Sequence, residues 1–134
     1  MSAIANIVVP DAAATPVNHT FIPQKVTGDV AAWNEKLAAT PQGYWELATS
    51  FKDPATGGKV YRLKQSLAIP TLKSYTDLSG NPVTVVDYTC RVSAEWLLPL
   101  ACTLQNRKDL RKLFIGILND AQIMDNIENL NHSF

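Results

Sequence analysis

Histidine and cysteine are scarce in this chain, two of each, and that scarcity removes most metal and nucleophile chemistry at the outset. His19 lies in a β-rich stretch and His132 near the end, where chains tend to fray. Neither falls in HExxH or another zinc spacing. Cys90 and Cys102 sit in apolar surroundings without a CxxC spacing. That pattern points to buried, reduced thiols rather than a disulfide or a metal site. Net charge is missing as well, because 12 basic side chains cancel 12 acidic ones. A nucleic-acid partner is therefore neither demanded nor forbidden, and only the local distribution of charge can decide.

Long apolar runs are absent, and nothing approaches the roughly 20 residues needed to cross a bilayer, so no membrane partner is expected. The start, "MSAIANIVVPDAAATP", lacks the basic region of a signal peptide and turns early at Pro10–Asp11, so cytosolic synthesis is expected. No glycine-rich phosphate loop occurs. "TGG" at 56–58 lacks the following Lys-Ser/Thr and reads as a hairpin turn. Nothing resembles GxSxG, and Asp125 and Glu128 are spaced as a solvated helix-surface pair. No catalytic residue, metal ligand or cofactor is expected, and an enzyme reading has little to stand on.

What is present is order along one domain, 1–134, of a size that can bury a modest core. "IANIVV" (4–9) and "VNHTFIPQKV" (17–26) flank the Pro10–Asp11 turn and read as a hairpin over 4–26. "GDVAAWNEKLA" has helical propensity, but Gly28 and the following "ATPQG" leave room only for a short strand. "YWELATSF" alternates, with Trp45, Leu47 and Phe51 on one side and Tyr44, Glu46, Ala48, Ser50 and Lys52 on the other. "KDPATGG" is turn-forming throughout and delivers the chain into "KVYRLKQSLAIP" (59–70). That strand is apolar at Val60, Tyr61, Leu63, Leu67 and Ile69, and polar at Arg62, Lys64 and Ser66. A polar loop over 70–82, with room for a short strand at its beginning, precedes another β-rich segment, completing an antiparallel sheet over 30–96. After Pro99 the period changes. Leu110, Leu113, Phe114, Ile117 and Leu118 form one stripe spaced by three and four. Ile123, Ile127 and Leu130 form a second, with Asp120 as its cap. Two helices over 105–131 follow, each with one apolar side better buried against a second copy than left on a self-contained α+β monomer.

A binding face is better supported than a catalytic pocket. Pairing 44–52 with 59–69 gathers Tyr44, Ser50, Lys52, Arg62, Lys64 and Ser66 on one surface, and the 84–96 strand adds Thr89, Arg91 and Ser93. Basic side chains with hydroxyls between them can grip phosphates and bond to bases, and Tyr44 could stack an unpaired base. Glu46 and Glu95 lower the positive charge there. From pattern alone, a merely solvated sheet face is the simpler reading.

The carboxyl end, "LRKLFIGILNDAQIMDNIENLNHSF", resembles the tail of the coat proteins of single-stranded RNA bacteriophages, the levivirus type. "ANIVV" with its Pro-Asp turn, "GKVYRLKQSLAIP" and "RVSAEWLLP" are similar to the corresponding strands of that family, so the likeness covers essentially the whole chain. The resemblance implies an α+β fold: an amino-terminal hairpin, a five-stranded antiparallel sheet and two carboxyl-terminal helices, clasped into an intertwined homodimer. Leu110, Leu113, Phe114, Ile117, Leu118, Ile123, Ile127 and Leu130 would then form the dimer interface. It implies closure of about 90 dimers into an icosahedral virion shell, with Asp77, Leu78, Ser79, Gly80, Asn81 and Pro82 as the assembly loop. It also implies that the polar face meets viral genomic single-stranded RNA and binds a stem-loop as a repressor of replicase translation. One maturation protein would join each virion. By matched position, Lys64 carries the central basic contact, Ala48 or Ser50 belongs to the family's adenine pocket, and Arg91 and Ser93 stand near base-contacting positions. The competing expectation is a dimeric RNA-binding regulator that forms no shell.

Overall fold

The computed structural model describes residues 3–133 and resolves them into two units, one ending at Leu97 and one beginning at Leu98. The first is a meander. Strands β1 (Ile7–Pro10), β2 (Asn18–Thr27), β3 (Val30–Glu35), β4 (Trp45–Lys52), β5 (Val60–Thr76) and β6 (Pro82–Pro99) hydrogen-bond in chain order. Each neighbouring pair from β1 to β5 is antiparallel. The expected hairpin and five-stranded sheet merge into this single six-stranded sheet. Strand β2 is long enough to pair with β1 at one end and β3 at the other, and a register shift between Pro23 and Lys25 separates the two pairings. The "GDVAAW" stretch is indeed a strand, β3.

Short-range chemistry closes the turns. Asp11 accepts the backbone N–H of Ala13 (3.1 Å) and of Val17 (3.0 Å), which bridges the connection between β1 and β2. Its carboxyl is held below the ordinary 3.8, chiefly by the Val17 N–H, then by the His19 ring and the Ala13 N–H. A lowered carboxyl stabilises the fold only while ionised. This contribution is complete above the unfolded value near 3.8 and fades as pH falls through the lower folded value. Exchange of the Val17 amide hydrogen, corrected for its intrinsic pH dependence, is expected to accelerate in that acid window and to be unaffected between pH 5 and 7.

Between β3 and β4 the chain makes a single 3-10 turn at Pro41–Gly43. Gly43 is buried here, and a Cβ on it would lie 2.6 Å from Leu72 Cδ1 and 2.8 Å from Ala38 Cβ. Gly43→Ala is expected to cost about 1–3 kcal/mol of stability through overpacking, read as a lowered thermal midpoint.

The 70–82 loop needs correction. Residues 70–76 continue β5 and Pro82 opens β6, so only 77–81 lie outside strands. The Asp77 carboxylate accepts the N–H groups of Ser79 (2.9 Å) and Asn81 (2.8 Å), and its own N–H donates to the Asn81 carbonyl (2.9 Å). Gly80 takes the left-handed φ of 82° that this turn requires. A turn this compact lets the strands run up to it, joined by Lys73–Asp87 (3.1 Å) and Ser74–Thr84 (3.1 Å). Polar composition, which suggested a loop, reflects two exposed strands instead.

The second unit holds helices α1 (Leu104–Leu118) and α2 (Ala121–Glu128). Thr103 caps α1 in a reciprocal capping box with Asn106, and Asp120 caps α2 by accepting the Gln122 N–H at 2.9 Å, as its position suggested.

Burial is sparse. Among the described residues the buried hydrophobic side chains are Phe21 and Trp33 alone, and neither helix contains a buried residue. A chain that is 46% hydrophobic therefore leaves many of its large apolar side chains exposed. The cysteines follow suit: both are free thiols, but Cys90 is exposed and Cys102 only half-buried, rather than both buried. Cys90 lies on the side of β6 that also carries the exposed Val92.

Candidate nucleic-acid interface and assembly surfaces

The β4–β5 register sets the polar face. Ala48 pairs with Ser66, Ser50 with Lys64 and Lys52 with Arg62, so all six project to one side. Glu46 pairs with Ala68 in the same row, and β3 extends it through Val30, Ala32 and Asn34. Alternation explains the separation: Leu47, Leu63 and Leu67 take the opposite side.

Part of this face is concave. A depression of about 370 Å³ is lined by Glu46, Ala48, Lys64, Ser66, Leu67, Ala68, Arg91, Val92 and Ser93. It brings five of the anticipated residues together: Ala48, Lys64, Ser66, Arg91 and Ser93. Ser50, Lys52 and Arg62 continue the row beyond it. Thr89 lies further along β6, outside the lining. Tyr44 precedes β4 at the end of the 3-10 turn, with the Lys36 ammonium 6.0 Å from its ring centre. It stands apart from the depression, and its ring already faces a cation.

Among the described residues Lys73 pairs with Asp87, and the His19 ring stands 3.1 Å from the Asp11 carboxylate and 3.6 Å from that of Glu35. Lys64, Arg91 and Glu46 take no part in these pairings, so two cations and one carboxylate surround the same hollow with their charges uncommitted. Glu46 is the lining residue the candidate set lacked. Its strand parity with Ala48 marked the side, but its charge argued against a phosphate role. Ala68 shares the strand parity of Lys64 and Ser66, while Leu67 and Val92, of opposite parity, enter through the shape of the sheet.

The anticipated dimer residues are open in the single chain. Leu113 is 64% exposed, Ile127 61% and Leu130 81%, with Leu110, Phe114, Ile117 and Leu118 also exposed and Ile123 half-buried. Leu113, Ile117 and Ile123 line one apolar cleft between α1 and α2, beside Gly116 and the carbon stem of Lys112. Leu130 holds a left-handed φ of 56° just past α2, a costly conformation for a branched aliphatic residue. Next to it, Asp125 accepts from the side chains of Asn129 (2.7 Å) and Asn131 (2.9 Å). These bonds, Asn129 first, hold its carboxyl below the usual range. At the other end, Leu78 is fully exposed at the tip of the β5–β6 turn. Phe134, anticipated as part of the apolar ending, lies outside the described residues.

The chain is thus a meander sheet with one polar row, followed by two helices whose apolar sides are exposed. Residues 2–134 match the model of the levivirus coat protein family, and the chain belongs to that family. The capsid protein of Pseudomonas phage PRR1 is 27% identical over 118 residues, covering 88% of this chain and 84% of that one. The coat subunit in the virus-like particle of bacteriophage ESE058 is 33% identical, with a TM-score of 0.93 over 99% of this chain and 100% of that one. The one in the virus-like particle of bacteriophage NT-214 is 27% identical, with a TM-score of 0.83 over 99% and 100%. These relatives are structural capsid components rather than enzymes.

Proposed function

We propose that this chain is a shell-forming coat subunit of an RNA bacteriophage virion. It dimerises through the stripes of α1 and α2, closes shells through the turn at 77–82, and packs genomic single-stranded RNA against the β4–β6 face. The observation that carries the RNA reading is the hollow where Lys64 and Arg91 stand with free charge beside Ser66 and Ser93. Cations without protein partners, held on rigid strands, suit phosphate contacts, and hydroxyls beside them suit sugar and base edges. Particle formation is supported by the ESE058 relative, whose subunits form a virus-like particle. Stem-loop repression of replicase translation, a maturation protein as a further virion partner and synthesis in the host cytoplasm belong to the same proposal.

Negative-stain electron microscopy of the purified protein, with absorbance at 260 and 280 nm on the same fractions, tests it. Uniform closed shells with excess 260 nm absorbance are expected. Dimers that bind RNA but never close would favour the regulator reading, and a species that neither closes nor holds nucleic acid at low salt would overturn the proposal. Lys64→Ala is expected to weaken RNA binding. It should also flatten the slope of log affinity against log salt by about 0.7–0.9, one phosphate contact's worth. An unchanged slope would remove Lys64 from the interface.

A further inference from the structure

Glu46 is misplaced if the hollow serves only phosphates. Its carboxylate belongs to the lining that holds Lys64 and Arg91, on the same row of β4 as Ala48 and opposite Ala68 on β5. Among the described residues it is in no ion pair, so its oxygens remain available to a ligand even as its charge lowers the positive potential of the face. An ionised carboxylate is acceptor-only and repels a phosphate. Exposed as it is, it is hydrated in the free protein, and where RNA displaces that water the donors able to replace it are base N–H groups and ribose hydroxyls. The small side chains beside it, Ala48, Ala68, Ser66 and Ser93, leave the floor of the hollow open for a flat ring.

The bases differ in how their edges would meet this arrangement. Guanine carries two adjacent donors, N1–H and the 2-amino group, which match the two oxygens of one carboxylate. Around the ring from them lie O6 and N7, acceptors suited to a lysine or arginine. Adenine has a single amino group and no neighbouring N–H donor. Cytosine offers one amino group beside an acceptor nitrogen, which leaves half of the carboxylate without a partner. Only guanine presents a donor pair to a carboxylate and an acceptor pair to a cation on one ring.

We propose that Glu46 makes the hollow selective for an unpaired guanine, its carboxylate taking N1–H and the 2-amino group while Lys64 or Arg91 reaches O6 and N7. This rests on the RNA-face reading and names the specificity determinant within it.

The test titrates the protein and its Glu46→Gln variant, by filter binding at fixed salt, with an RNA hairpin whose loop is uridine except at one position. That position carries guanosine, inosine, adenosine or cytidine, and is moved through the loop. For the unaltered protein, at one loop position, guanosine should bind about tenfold more tightly than inosine, which differs only in lacking the 2-amino group. Glu46→Gln should bind the adenosine and cytidine hairpins more tightly, because a negative charge leaves the face, and its guanosine-to-inosine ratio should fall toward one. Equal binding of all bases, or a preference for adenosine or cytidine, would overturn the guanine assignment and leave the RNA face standing. Failure to bind any of the hairpins would overturn the RNA-face reading and this inference with it. If the variant does not fold, the guanosine and inosine comparison on the unaltered protein decides alone.

Discussion

Leu113→Asp, and Phe114→Asp beside it, should abolish the dimer and with it every particle. The expectation follows from where the apolar surface of this chain is. Helix α1 contains no buried residue, and Leu113 is 64% exposed in the single chain. An aspartate there meets water in a lone protomer and costs its local structure almost nothing. In a twofold interface the same position occurs twice. Each copy then loses the roughly 1.5–3 kcal/mol gained by burying a leucine, and each adds the cost of burying a carboxylate without a partner. The combined effect exceeds what a dimer of ordinary affinity can absorb. Because Phe21 and Trp33 are the buried hydrophobic side chains of the described chain, the isolated protomer has little core to fall back on. Size-exclusion chromatography with light scattering should therefore show monomer or aggregate and no dimer, and electron microscopy no shells. A stable folded dimer from either variant would remove α1 from the interface.

Some of this architecture was legible because the relevant signals are local. The alternation of "YWELATSF" and of "VYRLKQSL" is enough to place Ala48, Ser50, Lys64 and Ser66 on one side, and the register bears that out. The spacing of Leu110, Leu113, Phe114 and Ile117, with Asp120 as a cap, is enough to give two helices. What escaped depended on three dimensions. Residues 71–76 read mostly as loop because 73–76 are polar and exposed and Leu72 alone makes no apolar row, and only the Asp77-centred turn shows how far the ladder runs. The cysteines were expected to be buried because their neighbours are oily, but oily neighbours bury nothing until something covers the sheet. Glu46 lay in plain view on the correct row, yet only the shape of the hollow groups it with Lys64 and Arg91.

His19 is the other residue whose weight the sequence did not disclose, and its replacement by leucine should lower the thermal midpoint of the first unit by about 10 °C. The ring is buried and stacked on Trp45, with centroids 4.4 Å apart and 22° between planes. Its Nε2–H donates to Asp11 Oδ2 at 3.1 Å, and Nδ1 faces Glu35 Oε2 at 3.6 Å. It thereby joins the β1–β2 turn, the end of β3 and the start of β4. Glu35 is only 3% exposed, and its other oxygen accepts the Leu37 N–H at 2.7 Å. Leucine would keep the bulk against Trp45 but remove the hydrogen bond to Asp11 and leave the Glu35 carboxylate facing hydrocarbon, at a cost of about 1–3 kcal/mol for a buried polar group that loses its partner. A second substitution separates charge from packing. Glu35→Gln, in the His19→Leu background, keeps a carbonyl for the Leu37 N–H while deleting the stranded charge, so it should recover much of the lost stability. If the double variant is no more stable than His19→Leu alone, the ring acts through its stack on Trp45 and the Glu35 pairing contributes nothing. If His19→Leu melts with the unaltered protein, the cluster does not hold the hairpin at all.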